Sequence, residues 1–367
     1  MKRLLLFSFV LCLLAWSGPA TAQTAPFGST AQLSGFSRAL DVDDDRVFVG
    51  ESRNAHTPGR VYVYDQGDDG SWTESAYLEA EDGAVGDGFG SSLDGAGETL
   101  VVGAPSSNAA YVFQWEEDGW MQAARLTSAD STSSFGTSVA LTDGQLFVSS
   151  KATVSVSDGD TTSTSAIHVF ELNDGAWSEA TVLRSEELPA EVGIGATLLA
   201  SSSHLLAAAP QHDGGAVAVF QREEDGWTEA APLSVDALGG NARFGSSLQW
   251  VEGQVLVGAP RALDATGVVY SFSYNEEAQK WTTGGRLLPY DGGSRHFFGS
   301  AIAYDGTDLW VGAPGAHGLT GALYRFQRTD NSWTGTSRVT HPRAEQRDLF
   351  GGTLAASSSV VAAGLLG

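Results

Sequence analysis

Two short motifs recur seven times along this chain at an unvarying distance. The first is Phe-Gly or a close variant, at Phe36-Ser37, Phe89-Gly90, Phe135-Gly136, Ile194-Gly195, Phe244-Gly245, Phe298-Gly299 and Phe350-Gly351. The second is Gly-Ala-Pro or its remnant, at Gly50-Glu51-Ser52, Gly103-Ala104-Pro105, Ser149-Ser150-Lys151, Ala208-Ala209-Pro210, Gly258-Ala259-Pro260, Gly312-Ala313-Pro314 and Gly364-Leu365-Leu366. It begins 14 positions after the first motif in all seven copies. Six tryptophans (Trp72, Trp120, Trp177, Trp227, Trp281 and Trp333) mark a third point, each followed six positions later by Leu78, Leu126, Leu183, Leu233, Leu287 or Val339. The period averages about 52 residues. A module of that length, repeated without interruption, buries its apolar face against its own neighbours.

The residues between the markers predict four strands per period. Phe89 to Leu93 and Leu100 to Ala104 flank Asp94-Gly95, and Phe135 to Leu141 and Leu146 to Ser149 flank Asp143-Gly144. Both read as strand, tight turn, strand. A third strand follows at Val61 to Tyr64, Ala110 to Phe113, Ala166 to Phe170, Ala216 to Phe220, Val268 to Phe272 and Leu323 to Phe326, and a fourth begins at each tryptophan. No stretch holds a helical period of apolar residues. Four antiparallel strands per module make a β-propeller blade. The Phe ring can wedge between blades, the glycine beside it admits neighbouring backbone, and the proline ends the second strand because it cannot donate to a ladder.

The copies Phe89-Gly90, Gly103-Ala104-Pro105, Tyr111-Val112-Phe113 and Phe244-Gly245, Gly258-Ala259-Pro260 resemble FG-GAP repeats. The resemblance implies the seven-bladed propeller found at the head of integrin α chains and in many secreted bacterial proteins. It spans residues 36–366, with units starting near 36, 89, 135, 194, 244, 298 and 350. The expected fold is therefore all-β, a seven-bladed propeller of four-stranded antiparallel blades with an incomplete last blade. Residues 23–35 are expected to close the ring on the hairpin at 350–366.

The first 22 residues read as a signal peptide: Lys2 and Arg3, an apolar run from Leu4 to Trp16, then Ala20-Thr21-Ala22 before Gln23. The run of 13 residues is too short to span a bilayer. Export to the cell envelope or the extracellular space follows as an expectation, with no membrane span after cleavage. Cys12, the single cysteine, lies in that leader, so the remaining chain has no thiol chemistry. The full chain carries 44 acidic and 20 basic residues, a net charge of −24, and beyond Lys2 only Lys151 and Lys280 are lysines. Such a field repels phosphates, which excludes nucleic acid as a partner, and an acid-rich, lysine-poor surface suits a halophilic source.

Loop length indicates where a ligand would bind. The connection between second and third strands varies most, from 10 positions (Gly103 to Phe113) to 21 (Ser149 to Phe170). Variable loops on a regular scaffold are the usual place for binding. The candidate ligand face therefore carries Asn54, His56, Asp158, Asp160, His212, Asp213, Asp264 and His317, and the expected partner is a protein or glycan at the cell surface. No cofactor is implied. For a metal, only Asp41, Asp43 and Asp45 alternate as calcium ligands do, without the glycine and later acid of a calcium loop. No Ser, Cys or His nucleophile motif stands out, so no catalytic residue is assigned. The expected role is a secreted or surface binding, adhesion or scaffold module. The alternative is a secreted polysaccharide hydrolase or lyase that uses acidic residues in the central funnel.

Overall fold

The computed structural model describes residues 3–8, 10–15, 21–25, 35–117, 119–128, 132–142, 144–155, 161–189, 192–235, 238–329, 332–343 and 345–366. Two compact units divide the chain. One comprises Met1–Glu51, Val61–Tyr77 and Ser246–Gly367, the other Ser52–Arg60 and Leu78–Gly245. Both are built from antiparallel propeller blades, and among the described residues no helix is long and apolar enough to cross a membrane.

Six blades are present among the described residues, one fewer than the repeat count predicts. Blade one comprises Phe36–Asp43, Arg46–Glu51, Arg60–Gln66 and Trp72–Leu78. Blade two comprises Ser92–Ala96, Thr99–Ala104, Ala109–Glu116 and Gly119–Leu126, and blade three Val139–Thr142, Gln145–Ser155, Thr161–Asn173 and Ala176–Leu183. Blade four comprises Leu198–Ala200, His204–Ala209, Ala216–Glu223 and Gly226–Leu233. Blade five comprises Ser247–Val251, Gln254–Ala259, Val268–Asn275 and Lys280–Leu287, and blade six Ile302–Tyr304, Asp308–Ala313, Ala322–Thr329 and Ser332–Val339. The seventh copy supplies only the hairpin Leu354–Ala356 and Val360–Ala363. Its sheet continues through Arg3–Ser8, which pairs parallel to Val360–Ala363, then through Val10–Ala15 and Thr21–Ala25. With two strands of its own and a parallel neighbour, this sheet is not a four-stranded antiparallel blade. Of the segment expected to close the ring, residues 26–34 lie outside those described.

The constant spacing of 14 has a physical cause. The glycine of Phe-Gly donates its N–H to the carbonyl of the first Gly-Ala-Pro residue in the same blade: Gly90 to Gly103 at 3.1 Å, Gly136 to Ser149, Gly299 to Gly312 and Gly351 to Gly364 at 3.0 Å each. This bond closes the inner hairpin, so the hairpin cannot change length. The Phe ring itself stands before the first strand in blades two, three, five and six, as Ile194 does in blade four, and does not open it; the tight turn of blade two is Gly97-Glu98, not Asp94-Gly95. Phe89, Phe135, Phe244, Phe298 and Phe350 are all fully buried.

Neighbouring blades meet backbone against backbone. A Cβ on Gly103 would collide with the carbonyl oxygen of Gly136, one on Gly258 with that of Gly299, and one on Gly312 with that of Gly351. The glycines of the two motifs thus face each other across successive blades. Beside this seam, the residue two positions before the closing aromatic of the third strand forms an edge-on pair with the motif Phe: Tyr62 with Phe36, Tyr111 with Phe89 and Tyr324 with Phe298. Each Tyr hydroxyl donates to an acid, Glu51 at 2.9 Å, Asp82 at 2.7 Å and Asp291 at 2.6 Å. Asp82 and Asp291 come from the loop entering the blade and also pair with Arg125 and Arg338 on its fourth strand. Burial, then the bond to Asp291, pushes the Tyr324 hydroxyl well above its ordinary range.

Candidate functional site

Blades three and four break the repeat at two adjoining places. Second strands end at Ala104, Ala259 and Ala313, directly before Pro105, Pro260 and Pro314. In blade three Lys151 occupies the proline position and can donate its N–H. The ladder accordingly runs on, from Gln145 opposite Glu171 out to Ser155 opposite Thr161. In blade four Ile194 replaces the motif Phe, removing a ring from the adjoining seam. A cleft of about 490 Å³ opens where the two departures meet.

Val192, Ile194 and Pro210 give the cleft an apolar floor, and Lys151, Gln211 and His212 stand around it. Its hydroxyls are engaged by the protein: Thr137 Oγ1 donates to Ser134 O at 2.7 Å, Ser149 Oγ accepts from Ser138 N at 2.9 Å, and Ser165 Oγ accepts from Ile194 N at 2.8 Å. Lys151, Gln211 and His212 make no side-chain hydrogen bond or ion pair among the described residues. The uncommitted groups are therefore an ammonium, a carboxamide and an imidazole, which are mainly donors.

The structure gathers some of the predicted ligand-face residues and separates others. His212 lines the cleft and Asp213 adjoins it, exposed. Asp264 and His317 approach one loop: Arg295 N donates to Asp264 O at 3.3 Å, and His317 lies 6.1 Å from His296 between ring centroids. Asn54 is committed to its own turn, its Oδ1 accepting from His56 N at 2.9 Å and Thr57 N at 3.2 Å, while the His56 side chain is exposed. Asp158 and Asp160 lie outside the described residues. Asp41 and Asp43 lie on a strand, and Asp45 lies in the two-residue turn after it, bounded by Asp43 opposite Arg46. No group of three or more His, Cys, Asp or Glu is placed to hold a metal among the described residues.

Sequence reasoning missed a chain of polar groups inside blade three. Ser150 Oγ lies 2.8 Å from His168 Nε2, and His168 Nδ1 lies 3.1 Å from Glu179 Oε1. The connectivity resembles a nucleophile, base and orienting acid. Its placement is structural: Ser150 is 1% exposed, His168 0%, and the imidazole packs on Phe135 at 5.1 Å, on the sheet face opposite Ile167 and Val169. His168 takes the slot held by Tyr62, Tyr111 and Tyr324. The polar tip finds its partners within its own blade.

Buried histidines make stability depend on pH. His341 is 5% exposed and its Nε2 has no hydrogen-bond partner. Burial lowers the pKa of His341 and of His204, and burial followed by the neighbouring His317 lowers that of His296. A depressed folded-state pKa makes the neutral form the stable one. The contribution is therefore complete above the ordinary histidine value of about 6.5 and is lost as pH falls below it. The melting temperature is expected to hold steady from about pH 8 to 7 and to fall toward pH 5, with His341→Phe flattening that fall. Equal acid sensitivity in wild type and His341→Phe would remove His341 as a source.

Comparison with known proteins identifies the repeat. The family model for the FG-GAP repeat matches residues 72–113 and 281–326. Both segments run from the fourth strand of one blade to the third strand of the next, and both contain the loop acid, the Tyr and the glycines of the two motifs described above. The chain is an FG-GAP-repeat β-propeller. No curated protein matches it in sequence. Similar solved structures include a candidate 6-phosphogluconolactonase from Bacteroides fragilis, at 14% identity and TM-score 0.60, covering 94% of this chain and 96% of that one. A second, from Bacteroides uniformis, has 12% identity and TM-score 0.61, covering 93% and 97%. A protein from Lactobacillus plantarum has 11% identity and TM-score 0.60, covering 99% of each chain. At these identities the likeness is one of fold alone, and a propeller hosts many activities.

Proposed function

We propose that this FG-GAP propeller is an exported binding or scaffold module that takes its ligand in the cleft of blades three and four, and that its partner is a glycan at the cell surface. One observation carries the reading. Two departures from the repeat, Lys151 at the proline position and Ile194 at the Phe position, coincide at the cleft, which adjoins the longest second-to-third connection in the chain. Local rules are broken where function requires it. The apolar floor suits the C–H face of a sugar ring, and the uncommitted donors suit its oxygens.

A glycan array probed with the full chain, and with Ala196→Trp as a cleft plug, tests the reading. Ala196 lines the cleft and is exposed, so the indole can occupy the cleft without entering the core. Binding by wild type and its loss in Ala196→Trp, at an unchanged melting temperature, is the expected result. Equal binding by both would move the ligand elsewhere. N-terminal sequencing of protein recovered from the culture medium is expected to begin at Gln23.

A further inference from the structure

We propose that the ligand of this cleft is an acidic saccharide whose carboxylate pairs with Lys151. The inference rests on the reading of the cleft as a glycan site and adds the charge of the sugar. Beyond Lys2 the chain has two lysines, and one of them stands at the cleft in a protein of net charge −24. The Lys151 ammonium makes no ion pair among the described residues, whereas Arg46, Arg60, Arg125, Arg325, Arg328 and Arg338 are each matched to a carboxylate. Lys280, Arg286, Arg295, Arg343 and Arg347 likewise make no ion pair among the described residues, and Lys151 is the unmatched cation that lines the cleft, where it can meet an external anion.

The neighbouring groups favour a carboxylate on a sugar over a bare ion. Gln211 and His212 add N–H donors that can share the ligand oxygens. Val192, Ile194 and Pro210 would leave a hydrated inorganic anion against apolar surface, but they accept the ring face of a pyranose. The engaged hydroxyls of Thr137, Ser149 and Ser165 hold the walls in place, which limits the entropy lost on binding. The acidic surface elsewhere keeps polyanions from binding nonspecifically, so the attraction is confined to the cleft.

Isothermal titration of the full chain with an oligogalacturonate and with its methyl ester isolates the carboxylate, since the rings are otherwise alike. The acid is expected to bind about tenfold tighter or more than the ester, the scale of one charge-assisted hydrogen bond. Lys151→Met is expected to erase that preference and Lys151→Arg to keep it, and added salt to narrow it. Equal affinity for acid and ester would overturn this inference and leave the glycan reading intact. A preference that survives Lys151→Met would overturn the assignment of Lys151. Failure of both sugars, with a neutral glycan bound on the array and lost in Ala196→Trp, would overturn the acidic ligand alone.

Discussion

Replacing Gly258 by alanine lowers the melting temperature by about 6 °C or more, the expected result of about 3 kcal/mol of overpacking in a large domain. One added methyl group has this effect because of where it lands. The Cβ of residue 258 would collide with the carbonyl oxygen of Gly299 and come close to Ser247 Oγ. Ser247 Oγ already donates to Gly299 O at 2.8 Å, so neither atom can withdraw without breaking that bond. The strand cannot retreat either, because Gly258 lies in the ladder opposite Ser247 on one side and Val269 on the other. Gly285→Ala in the same blade is the control. Nothing lies within 4 Å of its Cβ position, and its backbone is not left-handed, so the change is expected to be neutral or slightly stabilising through the unfolded chain. Thermal melts of the two variants decide the matter. A Gly258→Ala melt within about one degree of wild type would mean that the seam yields freely, against the rigidity expected of packed backbone.

The blades were legible in the sequence because each marker has a steric cause that repeats. Phe89, Phe135, Phe244, Phe298 and Phe350 recur because each fills the same buried slot, and the spacing of 14 recurs because one hydrogen bond closes the hairpin. Blade number was misread for a physical reason as well. The seventh motif pair announces a hairpin, but a blade also needs outer strands, and among the described residues this hairpin is joined instead by Arg3–Ser8, which pairs parallel to it. The cleft was half legible. Ser149-Ser150-Lys151 was visible as a degenerate motif and the loop after it as the longest, yet only the structure places Ile194 and His212 beside it, 43 or more positions along the chain. Asn54 shows what a sequence leaves unseen: the Oδ1 of a polar loop residue can be engaged by its own turn. The chain Ser150, His168 and Glu179 was illegible because it joins three strands, and the bulge between Val169 and Phe170 shifts the register that would have aligned them.

Loss of the Asp308 carboxylate produces the second large effect. Asp308 is 2% exposed, and its Oδ2 accepts from Arg325 NH2 at 2.6 Å. The guanidinium lies 5.8 Å from the centre of the Trp310 ring, whose Nε1 donates to Asp305 Oδ2 at 3.1 Å. Asp308→Ala takes this carboxylate from a half-buried guanidinium, 16% exposed, which costs about 3 kcal/mol, the lower end of the range for breaking a buried pair. The exposed pair Arg328 and Glu252 sets the contrast: with a Glu252 side chain 48% exposed, Glu252→Ala is expected to cost less than about 1 kcal/mol. The buried pair is itself imperfect, because Asp308 Oδ1 is buried without a partner. An apolar replacement of both residues, Asp308→Leu with Arg325→Met, is therefore expected to recover most of the loss, since it removes the stranded charge and the orphaned oxygen together. Denaturant melts of Asp308→Leu, Arg325→Met and the double variant form a closed cycle with the wild type. Strong coupling, with the double variant far more stable than the sum of the singles predicts, is the expected pattern. Additive losses would show that the two groups act independently and that the 2.6 Å contact contributes no more than a surface pair.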